Sequence, residues 1–186
     1  TNEPYAVSKI AGIKLCESYN RQYSKTHDVD YRSVMPTNLY GPGDNYDLQQ
    51  SHVVPALIRK FHEAKLKGSE VTIWGTGKPK REFLFVDDLA RAVFYLINLK
   101  KNKKIFKNFP IINVGSGEEI SIKNLAYKIK KVCKYKGKII FDKKFPDGTP
   151  KKSLDSSKIK RLGWKPKVKL ERGLKIAHNN YLDLKK

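Results

Sequence analysis

The order of apolar and turn-forming segments predicts an α/β fold, and three observations support that class. Short apolar runs alternate with longer segments in which apolar residues recur every three or four positions. Turn residues, chiefly Gly, Asp and Pro, separate most of these segments, and the sequence shows no internal repeat. The chain has 186 residues, 39% of them hydrophobic, which is enough to bury a core.

The first half begins with a helix, because apolar residues recur at helical spacing from Tyr5 to Tyr23. The other predicted elements are a strand over 31–35, a loop over 36–50, a helix over 51–67, strands over 71–74 and 82–86, and a helix through residue 99. Pro, Gly, Asn and Asp dominate the loop, and such long loops usually bind a ligand. Asp87 and Asp88 predict the start of the helix that runs through residue 99, as its N-cap and its first-turn acid.

The second half continues the alternation. The predicted elements are an exposed basic segment over 100–107, a strand over 111–114, a helix from 121 to about 134, a strand over 138–141, a loop over 145–152, and helices over 155–162 and 170–184. Ser121 is predicted to cap the first of these helices, and Gly163 to end the next. Cys16 and Cys133 are predicted to be small buried thiols.

Charge and cysteine content exclude several classes of protein. The net charge is +21, but residues 1–100 hold 14 basic and 11 acidic side chains and residues 101–186 hold 25 and 7. The lysines of the second half are scattered, and no nucleic-acid-binding motif accompanies them, so no nucleic-acid partner is expected. No apolar segment approaches the roughly 20 residues of a membrane span. Two cysteines exclude a disulfide framework, and the histidines lack metal-ligand spacing, so we predict no metal and a cytoplasmic location.

Tyr5 and Lys9 form a Tyr-x-x-x-Lys motif whose spacing places both side chains on one helix face. A phenol exchanges protons poorly at neutral pH, and a nearby ammonium favours its ionised form. The pair could therefore exchange a proton with a carbonyl or hydroxyl oxygen. This spacing is common by chance, so its surroundings must decide between a catalytic pair and an exposed helical pair.

Longer motifs around the pair carry a resemblance. Residues 3–12 (EPYAVSKIAG) and 36–42 (PTNLYGP) resemble the second half of an extended short-chain dehydrogenase/reductase. Residues 14–23 (KLCESYNRQY), 51–57 (SHVVPAL), 74–77 (WGTG), 81–83 (REF) and 146–152 (PDGTPKK) are similar to those family members that epimerise and reduce GDP-4-keto-6-deoxy-D-mannose with NADPH. The resemblance spans nearly the whole chain.

The resemblance implies a Rossmann-like NAD(P)-binding fold over 1–50 and a smaller α/β substrate-binding region over 51–186, with interleaved returns to the first. It implies NADP(H) as cofactor, a GDP-sugar substrate and a homodimer that forms through the first helix. The implied catalytic residues are Tyr5, Lys9 and His52, where imidazole suits proton exchange during epimerisation. The implied cofactor-binding residues are Lys9, Pro36, Thr37, Asn38, Leu39 and His52. The implied substrate-binding residues are Lys60, Trp74, Arg81 and Asp147.

One departure from the family pattern concerns the start of the chain. Thr1 is followed almost at once by a helical pattern, and no glycine-rich strand–turn–helix for a dinucleotide precedes Tyr5. The sequence therefore predicts a partial Rossmann-like fold, truncated upstream, with a cysteine partner of His52 outside these residues. We expect the isolated chain to be inactive. Two alternatives stay open: another nucleotide-sugar epimerase, dehydratase or reductase, and a non-enzymatic basic binding module.

Overall fold

A computed structural model describes residues 3–99 and 111–185. Its elements are α1 (Glu3–Tyr23), β1 (Ser33–Pro36), β2 (Asn38–Tyr40), α2 (Val53–Lys67), β3 (Val71–Trp74), β4 (Lys80–Phe85), α3 (Val86–Asn98), β5 (Ile111–Val114), β6 (Glu119–Ser121), α4 (Ile122–Val132), β7 (Ile139–Asp142), β8 (Lys151–Lys152), α5 (Ser157–Arg161) and α6 (Leu170–Asp183). The α/β class is confirmed. The basic segment predicted over 100–107 lies outside the described residues.

Parallel strand pairs dominate the described sheets. β1 pairs with β5, and β3 pairs with β7, both in parallel. β4 is the most connected strand, because it pairs in parallel with β2 and β8 and antiparallel with β6. Parallel pairs need crossover connections, and helices supply most of them here, as expected for an α/β chain.

β4 separates two hydrophobic clusters. Successive residues of a strand point to opposite faces, so Phe83 and Phe85 pack into one cluster and Leu84 into the other. The first cluster lies among α2, α4 and α6, with fully buried Phe61 as one of its largest side chains. The second lies among α3, β5 and α5. β4 is therefore packed on both faces, which fixes the positions of its own residues.

Three short strands were not expected from the sequence. The predicted 36–50 loop is wrong at its start: Pro36 ends β1, and β2 pairs through its three residues with Phe83, Leu84 and Phe85. β6 and β8 have three and two residues, too few to show an alternating pattern. Their pairing with β4, rather than local sequence, makes them strands.

Of two helix starts that the sequence predicted, one is confirmed and the other is wrong. Ser121 caps α4 as expected, because its hydroxyl accepts the Asn124 N–H at 3.1 Å. α3 instead begins at Val86, so Asp87 and Asp88 lie in its first turn and neither is its N-cap. The buried Asp88 carboxylate accepts the backbone N–H groups of Lys167 and Val168 at 2.8 and 2.9 Å. It anchors the segment that leads into α6.

α1 differs from every other long helix, because none of its residues is buried among the described part of the chain. Its apolar side chains are exposed: Val7 by 57%, Ile10 by 56% and Leu15 by 59%. Cys16 is half-buried, so its prediction as a buried thiol is wrong. Cys133 is buried as predicted, and burial raises the pKa of its thiol to about 12. No described helix has the length and apolar content to cross a bilayer.

Candidate functional site

The Tyr5–Lys9 pair lies on the exposed face of α1. The Lys9 ammonium Nζ lies 5.3 Å from the centre of the Tyr5 ring, as the four-residue spacing on a helix predicts. The Tyr5 side chain is 65% exposed, so its hydroxyl is open to a ligand. The geometry fits a proton-exchange pair.

The segment predicted to bind the cofactor, 36–39, crosses the carboxyl ends of β1 and β5. The Thr37 N–H donates to the Val114 carbonyl at 3.1 Å, which fastens it to β5. The Thr37 hydroxyl and the Asn38 amide both donate to the Glu82 carbonyl, at 3.0 and 2.7 Å. Ligands of open α/β sheets bind outside these strand ends. Both polar side chains are bonded within the protein, and Leu39 packs against the second hydrophobic cluster. Contact of segment 36–39 with a nicotinamide stays a prediction.

His52 stands at the N-cap position of α2. Its backbone is extended, with φ −71° and ψ 166°, and its imidazole makes no capping hydrogen bond. The side chain is exposed. Burial raises the pKa of the Asp44 carboxyl, and the Asn45 N–H and then the His52 charge oppose that rise. An imidazole that is not used for capping can exchange a proton with a ligand.

Lys60 and Trp74 lie together, as the sequence predicted for two substrate-binding residues. The Lys60 ammonium lies 5.4 Å from the Trp74 ring centre and donates to the Thr72 carbonyl at 3.2 Å. Burial lowers the pKa of this ammonium. Phe145, which the sequence did not single out, stacks on the Trp74 indole with centres 4.6 Å apart and planes 16° apart. Both rings are exposed, Trp74 by 63% and Phe145 by 42%.

Arg81 and Asp147 hold one loop from two sides. The Arg81 guanidinium donates to the Thr149 carbonyl at 2.7 Å. The Asp147 carboxylate accepts from the Thr76 N–H at 2.8 Å and the Thr76 hydroxyl at 2.6 Å, and these bonds lower its pKa. Both Asp147 oxygens are therefore used to hold the loop after β7 against the turn after β3. Its direct contact with a substrate remains a prediction.

The structure thus forms two groups of predicted site residues and joins them through β4. One group lies in and around the loop after β7 and comprises Lys60, Trp74, Arg81 and Asp147. The other group is segment 36–39, which is bonded to β4 at Glu82. Thr76, Glu82 and Phe145 were missed. Thr76 and Glu82 lie inside the WGTG and REF motifs and Phe145 precedes PDGTPKK, but their roles depend on partners far along the chain. Within 3–99 and 111–185, no group of three His, Cys, Asp or Glu residues could hold a metal ion.

The fold and the site define a class of protein. Parallel strands alternate with helices, residues predicted to bind ligands follow the carboxyl ends of β1 and β3, and a Tyr-x-x-x-Lys pair lies on a helix, an arrangement suited to nucleotide-dependent chemistry. The chain belongs to the NAD dependent epimerase/dehydratase family, whose model matches residues 1–115. This confirms the resemblance seen in the sequence.

Individual relatives show which members of this family the chain resembles. The chain is 51% identical over 187 residues to GDP-L-fucose synthase of Escherichia coli, covering 98% of this chain and 57% of that protein. It is 40% identical to GDP-L-colitose synthase of Yersinia pseudotuberculosis, covering 100% of this chain and 58% of that protein. The structure superposes on a GDP-L-fucose synthetase from Naegleria fowleri bound to NADP with a TM-score of 0.87 at 28% identity, covering 98% and 56% of the two chains. The chain therefore spans little more than half the length of these relatives.

Proposed function

We propose that the protein carrying this chain is a GDP-L-fucose synthase, which converts GDP-4-keto-6-deoxy-D-mannose to GDP-L-fucose by 3,5-epimerisation and 4-reduction with NADPH. The observation that carries the proposal is the Tyr5–Lys9 pair on α1, in a chain that also holds Lys60 beside Trp74 and, on β4, Arg81, the two cations proposed to bind a nucleoside diphosphate. The 51% identity to the Escherichia coli enzyme supports the same assignment.

In the reduction, Tyr5 donates its hydroxyl proton to the C4 oxygen of the keto-sugar. NADPH, when bound, supplies hydride to C4. Lys9 hydrogen-bonds the nicotinamide ribose and stabilises the phenolate that Tyr5 becomes. The exposed hydroxyl and the 5.3 Å approach of the ammonium to the Tyr5 ring support these two roles.

In the epimerisation, His52 exchanges the protons at carbons next to the C4 ketone. The ketone makes those protons acidic, and an imidazole titrates near neutral pH, so it can accept and return a proton. Inversion also needs an acid on the opposite face of the sugar. We propose that this partner lies outside the 186 residues, since Cys133 is buried in the first cluster and Cys16 lies eleven residues beyond Tyr5 on α1.

Substrate binding is assigned to the group around β3 and β4. Lys60 and Arg81 neutralise the diphosphate, for which a guanidinium offers a fork of two donors. Trp74 offers an exposed ring for stacking on the base or sugar. Asp147 contributes by holding the loop, and direct contact of its carboxylate with the nucleotide is part of the proposal.

The test is turnover of GDP-4-keto-6-deoxy-D-mannose by the complete protein with NADPH in deuterated water, followed by NMR of the product. We expect GDP-L-fucose with deuterium at C3 and C5. His52→Asn should abolish deuterium incorporation while slower NADPH oxidation continues. Oxidation of NADPH only with a different keto-sugar would favour another nucleotide-sugar enzyme of the family. Salt-sensitive binding to nucleic acid without GDP-sugar binding would favour a basic binding module.

A second comparison tests what the 186 residues do alone. Among the described residues we find no glycine-rich strand–turn–helix, the element that holds a dinucleotide pyrophosphate. We propose that the isolated chain binds GDP but does not oxidise NADPH with the keto-sugar. Calorimetry with GDP and a spectrophotometric assay at 340 nm, roughly the NADPH absorption maximum, measure the two properties; hydride transfer by the isolated chain would contradict this part of the proposal.

The quaternary and cellular assignments are also proposals. The exposed apolar side chains of α1, Val7, Ile10 and Leu15, fit a helix-to-helix contact between two copies in a homodimer. Two unpaired cysteines and an NADPH-dependent reaction fit the cytoplasm. Sedimentation of the complete protein and of Leu15→Asp tests the dimer, since a buried charge at this contact should yield monomer.

A further inference from the structure

Glu82 is a buried carboxylate that no catalytic role described above uses. Only 1% of the residue is exposed, although it follows Arg81 on β4. Oxygen Oε1 accepts the Gly117 N–H at 2.7 Å, and Oε2 accepts the Leu154 N–H at 3.0 Å. One side chain thus joins the turn after β5 to the segment after β8.

The backbone of the same residue joins a third segment. Its carbonyl accepts both the Thr37 hydroxyl and the Asn38 amide, so the strand-end segment expected at the nicotinamide is bonded to Glu82. These partners lie 45 and 44 residues away in sequence, and Leu154 lies 72 residues away. Four hydrogen bonds therefore meet at one residue of the strand that separates the two hydrophobic clusters.

The substrate side continues from there. Lys80 donates its N–H to the Pro150 carbonyl at 2.8 Å, and Arg81 donates to the Thr149 carbonyl at 2.7 Å. With the Leu154 bond, these contacts hold residues 149–154 along β4. Asp147 and Phe145 lie immediately upstream of this segment, so its bonds to Lys80, Arg81 and Glu82 help to place the loop beside Trp74.

We propose that Glu82 is a positioning residue that couples the cofactor-side segment 36–39 to the phosphate-binding Arg81 and the loop after β7. The inference rests on the proposed function, because it assigns those two segments to cofactor and substrate. Glu82 touches neither ligand. It acts by holding both segments against β4 at Arg81 and Glu82, so that the two ligands bind at a fixed distance from each other.

A steric feature supports a dedicated place for the carboxylate. A Cβ atom at Gly115 would overlap Oε1 of Glu82 and lie 2.8 Å from the Ser156 hydroxyl. Ser156 is buried, and its hydroxyl has no hydrogen-bond partner among the residues that the structure describes. Position 115 therefore needs glycine for the carboxylate to reach the Gly117 N–H, and Gly115→Ala displaces Glu82 without changing it.

The experiment uses the complete protein and three variants: Glu82→Gln, Gly115→Ala and the control Asp88→Asn. Glu82→Gln keeps the side-chain size but leaves one oxygen for two N–H donors. We expect displacement of the carboxylate to raise the dissociation constant for GDP about tenfold and that for NADPH by less, because the Thr37 and Asn38 bonds are made to the Glu82 backbone carbonyl, which the variant keeps. Calorimetry and NADPH fluorescence measure the two constants without turnover. Gly115→Ala should weaken both ligands in the same order.

Asp88→Asn is a matched control, because Asp88 is also buried and also accepts two backbone N–H groups, from Lys167 and Val168, away from both segments. It should lower the melting temperature about as much as Glu82→Gln but keep both affinities within about twofold. If Glu82→Gln lowers the melting temperature and leaves both affinities unchanged, the residue is structural and the inference is wrong.

The design separates the inference from the function. If the wild-type protein binds neither GDP nor NADPH, the proposed function fails. If the wild type binds both and Glu82→Gln and Gly115→Ala bind them equally well, only the coupling role of Glu82 fails. If Glu82→Gln does not fold, Gly115→Ala decides the question by the same two affinities.

Discussion

Helices α1 and α2 have similar apolar spacing but opposite surroundings. α1 has 21 residues and none is buried within the described structure, whereas α2 has 15 and buries six, including Leu57, Ile58 and Phe61. Spacing predicted both helices. It did not distinguish the helix whose apolar face is packed against α4 and α6 from the one whose apolar face is exposed.

The two helices therefore have different expected roles, α1 in the reaction and α2 in stability. α1 carries Tyr5 and Lys9 on a surface that contributes little packing, so changes there should alter reaction rate. α2 carries Lys60 and His52 at its rim while its opposite face forms the first cluster, so changes on that face should alter folding. The first two predictions below test this division, and the other two test side chains outside both helices.

Tyr5→Phe should have the largest effect. Removal of one hydroxyl from the proton-exchange pair is expected to lower the reduction rate by about 10²- to 10⁴-fold, the range for general acid–base groups. Because Tyr5 is 65% exposed, the melting temperature should stay unchanged. Steady-state NADPH oxidation and calorimetric unfolding measure the two quantities. Tyr19→Phe, on the same helix, should keep full activity; equal losses for both variants would refute the assigned role.

Leu57→Ala and Leu15→Ala compare the two helices directly. Leu57 is 3% exposed and Leu15 is 59% exposed. The α2 change should lower the free energy of unfolding by about 2–5 kcal/mol, because it leaves a cavity, and the α1 change should lower that of the monomer by less than about 0.5 kcal/mol. Urea unfolding at two protein concentrations measures both, and a dimer contribution from Leu15 would depend on concentration. Equal costs would show that the α1 face is packed as tightly as that of α2.

Phe145→Ala tests the ring that the sequence did not single out. Aromatic pairs contribute roughly 0.5–1.5 kcal/mol beyond burial, so loss of the stack on Trp74 should weaken GDP binding about fivefold. Trp164, the other tryptophan, is buried, so fluorescence quenching by GDP reports mainly on Trp74. Phe145→Tyr keeps the stack and should bind normally. Inorganic pyrophosphate, which has no base, should bind the wild type and Phe145→Ala alike.

His178→Gln should have the smallest effect, and only at mildly acidic pH. Burial, followed by the charges of His62 and Lys65, lowers the pKa of His178 below its ordinary value of about 6.5. Protonation then favours the unfolded chain, so this stability is present above that value and is lost as the pH falls through the lower, folded-state pKa. Melting temperatures from pH 7.5 to 5 should fall less steeply in His178→Gln. An unchanged slope would exclude His178 as a contributor.

The sequence predicted much of the fold where a pattern is local. The strands over 71–74 and 111–114 have the predicted bounds, Ser121 caps α4, and Tyr5 and Lys9 face each other. Each of these features is set within a few residues by alternation, helical spacing or a short hydrogen bond. Two domains divided at residue 50 remain a prediction.

Such local patterns could not predict which distant segments pair with each other. β2, β6 and β8 are strands because β4 lies beside them, and the carboxylates of Glu82 and Asp88 find partners 35 to 80 residues away. The sequence by itself determined the α/β class, the helical spacing of Tyr5 and Lys9 and the family resemblance, because those are encoded by neighbouring residues. Only the tertiary structure decided that Phe145 covers Trp74 and that Asp147 bonds Thr76, because such contacts depend on which distant segment arrives.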